Sequence, residues 1–224
     1  MALPAAAVPG LLEQVGSCIV PTRRSTMNKV TLRTAILAVG VMVALAAAAW
    51  GQQGPEDGGH EVQVWTGGGY TVPGGTRSTG IWNVGLRYGW VLTRPHGPAF
   101  LNGRFEYAVD AVPVFLVFQP RNTAYGVGFN PFDVKWNFAT RGRLVPYLEI
   151  DGGTLFTNHS VPAGTNAVNF TSSGVFGVHM LGERCNWSIE ARYMHISNAG
   201  LATPNPGINT FQVRIGIGKF LGRK

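Results

Sequence analysis

The fold of this chain is decided by the stretch Trp82-Asn83-Val84-Gly85-Leu86-Arg87-Tyr88-Gly89-Trp90-Val91-Leu92. Large apolar side chains occupy every second position from Trp82 to Leu92, whereas Asn83 and Arg87 lie between them. Successive side chains of a β-strand point to opposite faces of the sheet, and those of a helix do not. The stretch therefore predicts a strand with one apolar, aromatic face and one polar face.

The same alternation recurs along the chain after residue 51, and no segment there has a helical period. We therefore predict eight strands. They cover roughly residues 60–70, 82–92, 101–110, 125–138, 143–156, 169–180, 187–198 and 209–220. In the fourth segment the apolar phase switches between Phe129 and Phe132, which predicts a β-bulge near Asn130-Pro131.

The charges on the faces opposite the aromatic residues nearly cancel, as the packed interior of a barrel requires. These faces hold Arg87, Arg104, Arg192 and Arg214 against Glu106, Asp110, Glu149, Asp151 and Glu190. Polar faces inward and apolar faces outward are the pattern of a membrane barrel. We predict an all-β fold, an eight-stranded antiparallel transmembrane β-barrel. The alternative is a soluble barrel or sandwich, similar to a lipocalin, with its apolar face inside.

The segment that begins at Met27 has the pattern of a secretory signal. Lys29 and Arg33 precede a short apolar run, and Ala49-Trp50-Gly51 offers the small residues of a cleavage site. A membrane-anchoring helix is the alternative, but the apolar run is short and a polar stretch follows it at once. We expect a mis-assigned N-terminal extension over residues 1–26, a signal peptide over residues 27–51 and an outer-membrane barrel over residues 52–224.

Charged residues make up 13% of the chain, which fits a surface that faces lipid over much of its area. The first 51 residues hold four of the 18 basic and one of the 11 acidic residues, which leaves 14 basic and ten acidic residues in the predicted barrel. This mild excess is no clustered basic stripe, so we expect no nucleic-acid partner. Because Cys18 precedes the predicted signal, Cys185 has no partner for a disulfide within the barrel.

If both ends of the barrel chain lie in the periplasm, the strand order fixes the side of every connection. The predicted periplasmic turns are the short connections 93–99, 139–142 and 181–186. The predicted external loops are the longer connections 71–78, 111–124, 157–168 and 199–208. Short turns on one side and long loops on the other are typical of outer-membrane barrels.

The seventh predicted strand ends in His195-Ile196-Ser197-Asn198. His195 and Ser197 share the outward parity of Tyr193, so the imidazole can stand beside the hydroxyl and accept its proton. Because this strand runs outward, we expect the pair at the external rim, facing the outer leaflet. A histidine and a serine two residues apart are also common by chance, and an interfacial histidine beside a strand-end serine is the simpler interpretation.

A longer string gives these two residues a context. His195-Ile196-Ser197-Asn198-Ala199-Gly200-Leu201, followed by Pro204-Asn205-Pro206-Gly207-Ile208, resembles the active-site region of the outer-membrane lipid A 3-O-deacylase (acyloxyacyl hydrolase-like) family. The resemblance is sharpest over residues 191–215 and covers the rest of the barrel only as an eight-strand pattern. It implies an outer-membrane esterase that removes the 3-position ester-linked acyl chain of lipid A.

In that family a serine nucleophile, a histidine base and a glutamate that orients the histidine lie on the outer barrel wall. The resemblance assigns the base to His195 and the nucleophile to Ser197. It makes Asn198, Gly200 and Asn205 candidates for oxyanion stabilisation or loop support. The family glutamate falls at Asn209, so this chain departs from the family at one member of the triad.

Asn209 has the outward parity of Phe211 and can point toward His195. A neutral amide can accept the imidazole N–H and fix its tautomer, but it cannot stabilise the imidazolium by charge. If it presents its NH₂ group instead, it favours the wrong tautomer. Position 209 therefore separates two hypotheses, an esterase and a non-catalytic outer-membrane barrel of the same ancestry with a structural or lipid-binding role. The partners expected are lipid A or a related glycolipid and possible second copies in a homodimer, with no cofactor and no metal.

Overall fold

The structure is a computed structural model that describes residues 54–222. Its strands are β1 (His60–Thr71), β2 (Gly80–Val91), β3 (Gly103–Phe118), β4 (Thr123–Phe138), β5 (Leu144–Thr157), β6 (Val168–Met180), β7 (Asn186–Ser197) and β8 (Ile208–Leu221). A 3₁₀ helix, Ala99–Leu101, precedes β3. The predicted extension and signal peptide, residues 1–51, lie outside the described residues. Within residues 54–222, no helix has the length and the apolar composition needed to cross a membrane.

The eight strands form one closed antiparallel barrel. Each strand pairs with its neighbours in the chain, and β1 pairs with β8 from His60↔Leu221 to Thr71↔Thr210. Closure leaves no edge strand, so the strands pair their backbones on both sides. The predicted eight-stranded antiparallel fold is confirmed. The register between β4 and β5 shifts between Phe129 and Phe132, which confirms the predicted bulge.

β3 is longer than the sequence predicts. It continues through residues 111–118, which were expected in an external loop over 111–124, and only residues 119–122 connect it to β4. The prediction of a long loop was wrong because the register with β4 shifts between Val112 and Phe115. This irregularity interrupts the period-two pattern, so that Phe115 and Val117 point inward and Phe118 points outward.

The connections at the two ends of the barrel differ less in length than predicted. The end at which β7 terminates, called the upper end below, has the connections 72–79, 119–122, 158–167 and 198–207. The lower end has the connections 92–102, 139–143 and 181–185. The prediction of a short turn over 93–99 was wrong, because the chain folds back on itself there. His96 pairs with Gly103, and the 3₁₀ helix lies between them.

The outer surface of the barrel is apolar and aromatic. On β2, Trp82 and Tyr88 are 41% and 40% exposed, whereas Asn83 and Arg87 are buried. The other strands follow the same rule, with exposed side chains that include Phe129, Phe132, Ile150, Phe176, Ile189 and Phe211. The faces are therefore inverted relative to a water-soluble barrel. The alternative of a soluble barrel with an apolar interior was wrong.

A network of ion pairs fills the middle of the barrel. Arg87 on β2 bonds Asp110 on β3 at 2.9 Å, and it also bonds Asp133 on β4. The same guanidinium bonds Glu149 on β5 at 2.6 Å. Arg192 on β7 bonds Glu149 at 2.8 Å from the other direction. All of these side chains are inaccessible to solvent. The buried positive and negative charges therefore neutralise one another across the adjacent strands β2 to β5, and Arg192 extends the network to β7.

The rest of the network ties in the remaining charges. Arg214 on β8 lies 3.3 Å from Asp110, and Lys135 on β4 lies 2.5 Å from Glu61 on β1. Arg192 also bonds Asp151 and Glu190. The count of interior charges made from the sequence left out Glu61, Asp133 and Lys135, all of which are buried inside the barrel. Arg104, which that count included, is only half-buried.

Above the ion pairs, an apolar cluster, called the apolar cap below, fills the upper part of the interior. It consists of Trp65, Ile81, Val112, Phe115, Val117, Ala124, Leu155, Val161, Met194, Ile196 and Ile208. The Trp65 ring lies 3.5 Å from the Arg214 guanidinium and joins the cap to the ionic layer. Met194 and Ile196 flank His195 on β7, and Ile208 precedes Asn209 on β8. The strands that carry the predicted site therefore rest on a packed support.

Arg87→Met is expected to destabilise the barrel strongly. It leaves three buried carboxylates without their shared cation, and breaking a buried ion pair in this way costs about 3–5 kcal/mol. Urea titration of the refolded protein in detergent measures the change in the free energy of unfolding. Arg94→Met is the control, because the Arg94–Asp57 pair is exposed and is worth about 1 kcal/mol or less. Equal losses in the two variants would contradict the structural role of the interior network.

Candidate functional site

The predicted site residues lie on one patch of the outer wall at the upper end of the barrel. β7 and β8 place His195 directly opposite Asn209 in the register of the sheet. His195 and Ser197 are half-buried, and Asn209 is 7% exposed. Because Met194 and Ile196 point into the apolar cap, the side chains between and beyond them face outward.

Asn209 bridges His195 to the connection between β1 and β2. Its Oδ1 lies 2.6 Å from His195 Nδ1, and its Nδ2 donates to the backbone carbonyl of Gly74 at 2.8 Å. A carbonyl oxygen can only accept, so the Gly74 contact fixes which end of the amide is the NH₂ group. Oδ1 then faces the ring, and Nδ1 of His195 must carry the proton. The amide therefore holds the histidine in the Nδ1–H tautomer.

This tautomer leaves Nε2 of His195 unprotonated and able to accept a proton. The ring stands over Gly207, where an added Cβ would lie 2.8 Å from His195 Cε1 and 3.5 Å from Nε2. Gly207 also has a φ of +66°, which favours glycine. The His195 ring can therefore take this position only if residue 207 has no side chain and adopts the left-handed backbone conformation, and glycine meets both requirements.

Ser197 is the last residue of β7, two positions beyond His195 on the same face. Within residues 54–222, the Ser197 hydroxyl and the His195 ring share no hydrogen bond. Such bonds between a nucleophile and its base are often formed only when the substrate is bound. The wall thus places the serine and the histidine on the same outward face of β7 without a hydrogen bond between them.

The connection 198–207 is organised by its two asparagines. The Asn205 Oδ1 accepts from the backbone N–H of Asn198 at 3.1 Å. The buried Asn198 side chain accepts from the N–H of Gly200 at 2.9 Å and donates to the Ala202 carbonyl at 3.1 Å. This geometry favours loop support as the role of Asn198 and Asn205. The Gly200 N–H is already paired, which disfavours it as an oxyanion donor.

Ala199 offers a free backbone donor two residues after Ser197. The backbone N–H groups of Asn198, Gly200 and Leu201 all have acceptors, whereas that of Ala199 has none among the described residues. Ala199 also has a φ of +51°, an unusual conformation for a residue other than glycine. The turn that the Leu201 N–H closes onto the Asn198 carbonyl, with positive φ at both Ala199 and Gly200, imposes this conformation. Two residues after Ser197, this N–H can stabilise negative charge that develops on a bound carbonyl.

Three of these residues escape sequence reasoning. Gly74 belongs to a distant connection, and its Pro73-Gly74-Gly75 context predicts only a turn. Gly207 and Ala199 act through backbone geometry rather than side-chain chemistry. The positive φ of Gly207 has a sequence indication, because proline precedes it in the string Pro204-Asn205-Pro206-Gly207. No sequence pattern indicates the positive φ of Ala199.

One group of described carboxylates is compact enough to share an ion. It consists of Asp133, Glu149 and Asp151, and it lies inside the barrel, away from the outer wall. Each of the three already bonds Arg87 or Arg192. The guanidinium groups therefore occupy the place that a cation would take, and the group is separate from the candidate site.

Gly74→Ala is expected to leave the tautomer of the His195 ring no longer fixed by Asn209. The φ of Gly74 is +108°, and an added Cβ would lie 2.8 Å from Asn209 Nδ2, so the substitution displaces the carbonyl that orients the amide. Nitrogen-15 NMR of histidine-labelled protein, assigned with His195→Gln, reports the tautomer directly. The parent should show protonated Nδ1, and the variant a mixture of the two tautomers.

Gly164→Ala is the matched control for this experiment. Gly164 also has a positive φ, +82°, in an upper connection, but an added Cβ would meet nothing within 4 Å. The backbone strain is therefore similar while the contact with the site is missing. A parent spectrum with protonated Nε2, or equal mixing in the two alanine variants, would refute the role of Gly74.

Comparison with known proteins adds to this geometry. The sequence profile of the family described as lipid A 3-O-deacylase (PagL) matches residues 66–218. No curated protein sequence matches the chain. A crystal structure of the outer membrane enzyme PagL matches with a TM-score of 0.54 and 21% identity, covering 69% of this chain and 97% of that one. At this identity the likeness shows the fold alone.

Two other solved structures are less similar. They are crystal structures of Neisserial surface protein A and of the outer membrane protein OprG from Pseudomonas aeruginosa, each with a TM-score of 0.44 and 12% identity. They cover 72% and 75% of this chain, and the matches span 95% and 96% of their own chains. The family profile, in contrast, spans more than half of this sequence, from β1 to β8. The chain is a bacterial outer-membrane β-barrel that belongs to the lipid A 3-O-deacylase (PagL) family.

Proposed function

We propose that this protein is an outer-membrane esterase that removes the 3-position ester-linked acyl chain of lipid A, with Ser197 as nucleophile and His195 as base. The observation that carries the proposal is the bridge from His195 through Asn209 to Gly74. The bridge orients the histidine on the same outward face of the wall that carries Ser197. A histidine that served only as an interfacial residue would not need its tautomer fixed.

The proposed reaction follows from these positions. Ser197 Oγ attacks the acyl carbon of the ester while His195 Nε2 takes its proton. The carbonyl oxygen becomes an oxyanion, which the Ala199 N–H stabilises. When the intermediate collapses, the bond to the sugar 3-oxygen breaks, and His195 returns the proton to that oxygen. Water then attacks the acyl-enzyme with His195 again as base, and the fatty acid leaves.

Asn209 acts as the positioning residue in this scheme. In serine proteases, replacing the acid of the triad by its amide costs about four orders of magnitude because the histidine adopts the wrong tautomer. Here the Gly74 carbonyl takes the NH₂ group of the amide, so the correct tautomer is kept. The stabilising charge of an acid is missing, and turnover should be lower than with a carboxylate in the same geometry. The hydrogen-bonded amide disfavours the alternative of a non-catalytic barrel.

Lipid A or a related glycolipid is the proposed substrate, and the upper end of the barrel is proposed to face the outer leaflet. The site lies where β7 ends, above an apolar wall that includes Tyr193 and Phe211. An acyl chain can lie along that wall while the sugar stays at the rim. The three side chains and the Ala199 N–H carry the proposed reaction.

The refolded protein is expected to release a fatty acid from purified lipid A, and Ser197→Ala should abolish the release. Loss of a nucleophile removes the acyl-enzyme route, with a fall in kcat of about three orders of magnitude or more. Gas chromatography of the released fatty acids measures it. Ser160→Ala, in the upper connection 158–167, is the control and should keep parent activity. Release that persists in Ser197→Ala, or no release by the parent, would refute the proposal.

The orientation of the barrel can be tested with its own cysteine. Cys185 lies in the lower connection 181–185 and forms no disulfide within residues 54–222. With the upper end outside, a membrane-impermeant maleimide should leave Cys185 of intact cells unlabelled. It should label the Ser160→Cys variant in a Cys185→Ser background. The opposite labelling pattern would place the candidate site in the periplasm, and lysed cells serve as the positive control for both variants.

A further inference from the structure

A groove runs along the outer wall between β3, β4 and β5. It has a volume of about 240 Å³ and is lined by the side chains of Phe105, Val134, Trp136, Leu148 and Ile150. β4 lies three strands away from β7 in the closed barrel, and Trp136 and Leu148 are near the lower ends of their strands. The groove is therefore separate from the candidate site, which lies on β7 and β8 at the upper end.

The register of the sheet explains the shape of the groove. Trp136 pairs with Phe105 on one side and with Leu148 on the other, which places three large side chains in one row across the strands. In the next row, Val134 pairs with Ile150. Because the valine side chain is shorter than the tryptophan and phenylalanine side chains of the first row, the outer surface is concave at Val134.

The connection 92–102 fixes the two aromatic walls of the groove. Trp136 Nε1 donates to the Leu101 carbonyl at 3.2 Å, and the His96 ring contacts the Trp136 ring edge-on with 4.9 Å between the ring centres. The backbone N–H of Phe105 donates to the Thr93 hydroxyl at 2.9 Å. Both rings therefore hold their positions without an occupant, which lowers the entropic cost of binding one.

The turn directly below the groove, residues 139–143 between β4 and β5, carries two exposed arginines, Arg141 and Arg143. It begins three residues after Trp136, a distance of about 10 Å along a strand. Arg141 forms no ion pair or hydrogen bond with another described residue. Arg143 lies 3.9 Å from Glu183, but both side chains are largely exposed, so this pair contributes little.

The neighbouring turn, residues 181–185, adds to this positive charge. The Leu181 N–H donates to the Arg143 carbonyl at 2.7 Å, which holds the two turns side by side. Together they contain three arginines, including Arg184, and one acidic residue, Glu183. Guanidinium groups bind phosphate oxygens well because their N–H groups form a planar fork. An anion below the groove would therefore meet positive charge that the protein itself does not neutralise.

We propose that the groove and the arginines below it form a binding site for an anionic phospholipid, with one acyl chain in the groove and the phosphate at Arg141 and Arg143. The site joins an apolar channel to a basic end, and such a lipid joins an apolar chain to an anionic head. A second copy of the chain fits less well. A symmetric contact of two parallel barrels through this groove would bring the arginines of both copies together.

In the orientation proposed above, the lower end faces the periplasm, and the bound lipid then belongs to the periplasmic leaflet. The site lies away from the residues of the proposed reaction. This inference therefore does not rest on the esterase function.

Native mass spectrometry of the refolded barrel tests the role of the arginines. The detergent contains equal amounts of phosphatidylglycerol and phosphatidylcholine with identical acyl chains. The parent should retain phosphatidylglycerol in preference, by about 5-fold for each arginine that contacts the phosphate. Arg141→Gln combined with Arg143→Gln should retain both lipids equally. Arg94→Gln is the control and should keep the preference, because Arg94 is an exposed arginine of the lower end that pairs with Asp57 at 3.2 Å.

A second pair of variants tests the groove. Val134→Phe fills the concave surface and should reduce the retention of both lipids about 5-fold or more, because the acyl chain loses its place whatever the head group. Val127→Phe is the matched control. Val127 is also an exposed valine on β4, but it lies in the upper half of the strand, and its replacement should leave both lipids bound as in the parent.

Three results would overturn the proposal. Equal retention of the two lipids by the parent, or a preference that survives the loss of both arginines, removes the basic end of the site. Equal effects of Val134→Phe and Val127→Phe place the lipid elsewhere on the wall. A dimer that Val134→Phe dissociates, with lipid retention unchanged, assigns the groove to a second copy of the chain. None of these measurements uses fatty acid release, so failure of the esterase function would leave this inference standing.

Discussion

The ion pairs of Arg87 and Arg192 inside the barrel hold the rest of the structure together, because they let a narrow barrel bury charge at its centre. Arg87 joins β2 to carboxylates on β3, β4 and β5, and Arg192 joins β7 to the same Glu149 on β5. Once these charges are satisfied inward, the alternate positions of every strand face outward and can be apolar. The inverted surface that meets lipid is therefore a consequence of the interior network.

The candidate site depends on closure of the barrel, because closure brings the connection between β1 and β2 against β8. β1 pairs with β8, so the connection 72–79 lies against the start of β8. Two backbone bonds fasten it there, from Val72 N–H to the Asn209 carbonyl and from Thr76 N–H to the Gly207 carbonyl, each 2.9 Å long. The Gly74 carbonyl then meets the Asn209 side chain. With the apolar cap beneath β7 and β8, the histidine is held from below and from the side before any substrate arrives.

Asn209, at the position to which the resemblance assigns a glutamate, makes two contacts that a carboxylate could not make together. An amide accepts from the His195 ring and donates to the Gly74 carbonyl at the same time. A carboxylate in the same place could accept from the ring, but its second oxygen would meet the lone pairs of that carbonyl. Asn209 thus has a fixed orientation but offers no charge to the ring. In the proposed reaction it therefore positions His195 with a lower electrostatic contribution than an acid would make.

The sequence by itself determined which face of each strand is apolar, because side-chain direction alternates strictly along a strand. It therefore predicted the barrel, the bulge near Asn130, and the common outward face of His195, Ser197 and Asn209. Only the tertiary structure decided what meets across strands and connections that are far apart in the chain. The length of β3 depended on a bulge that hides the alternation, and the contact of Asn209 with Gly74 depended on closure of the barrel. Parity is a local property of the backbone, whereas register and closure are set by the packing of all eight strands together.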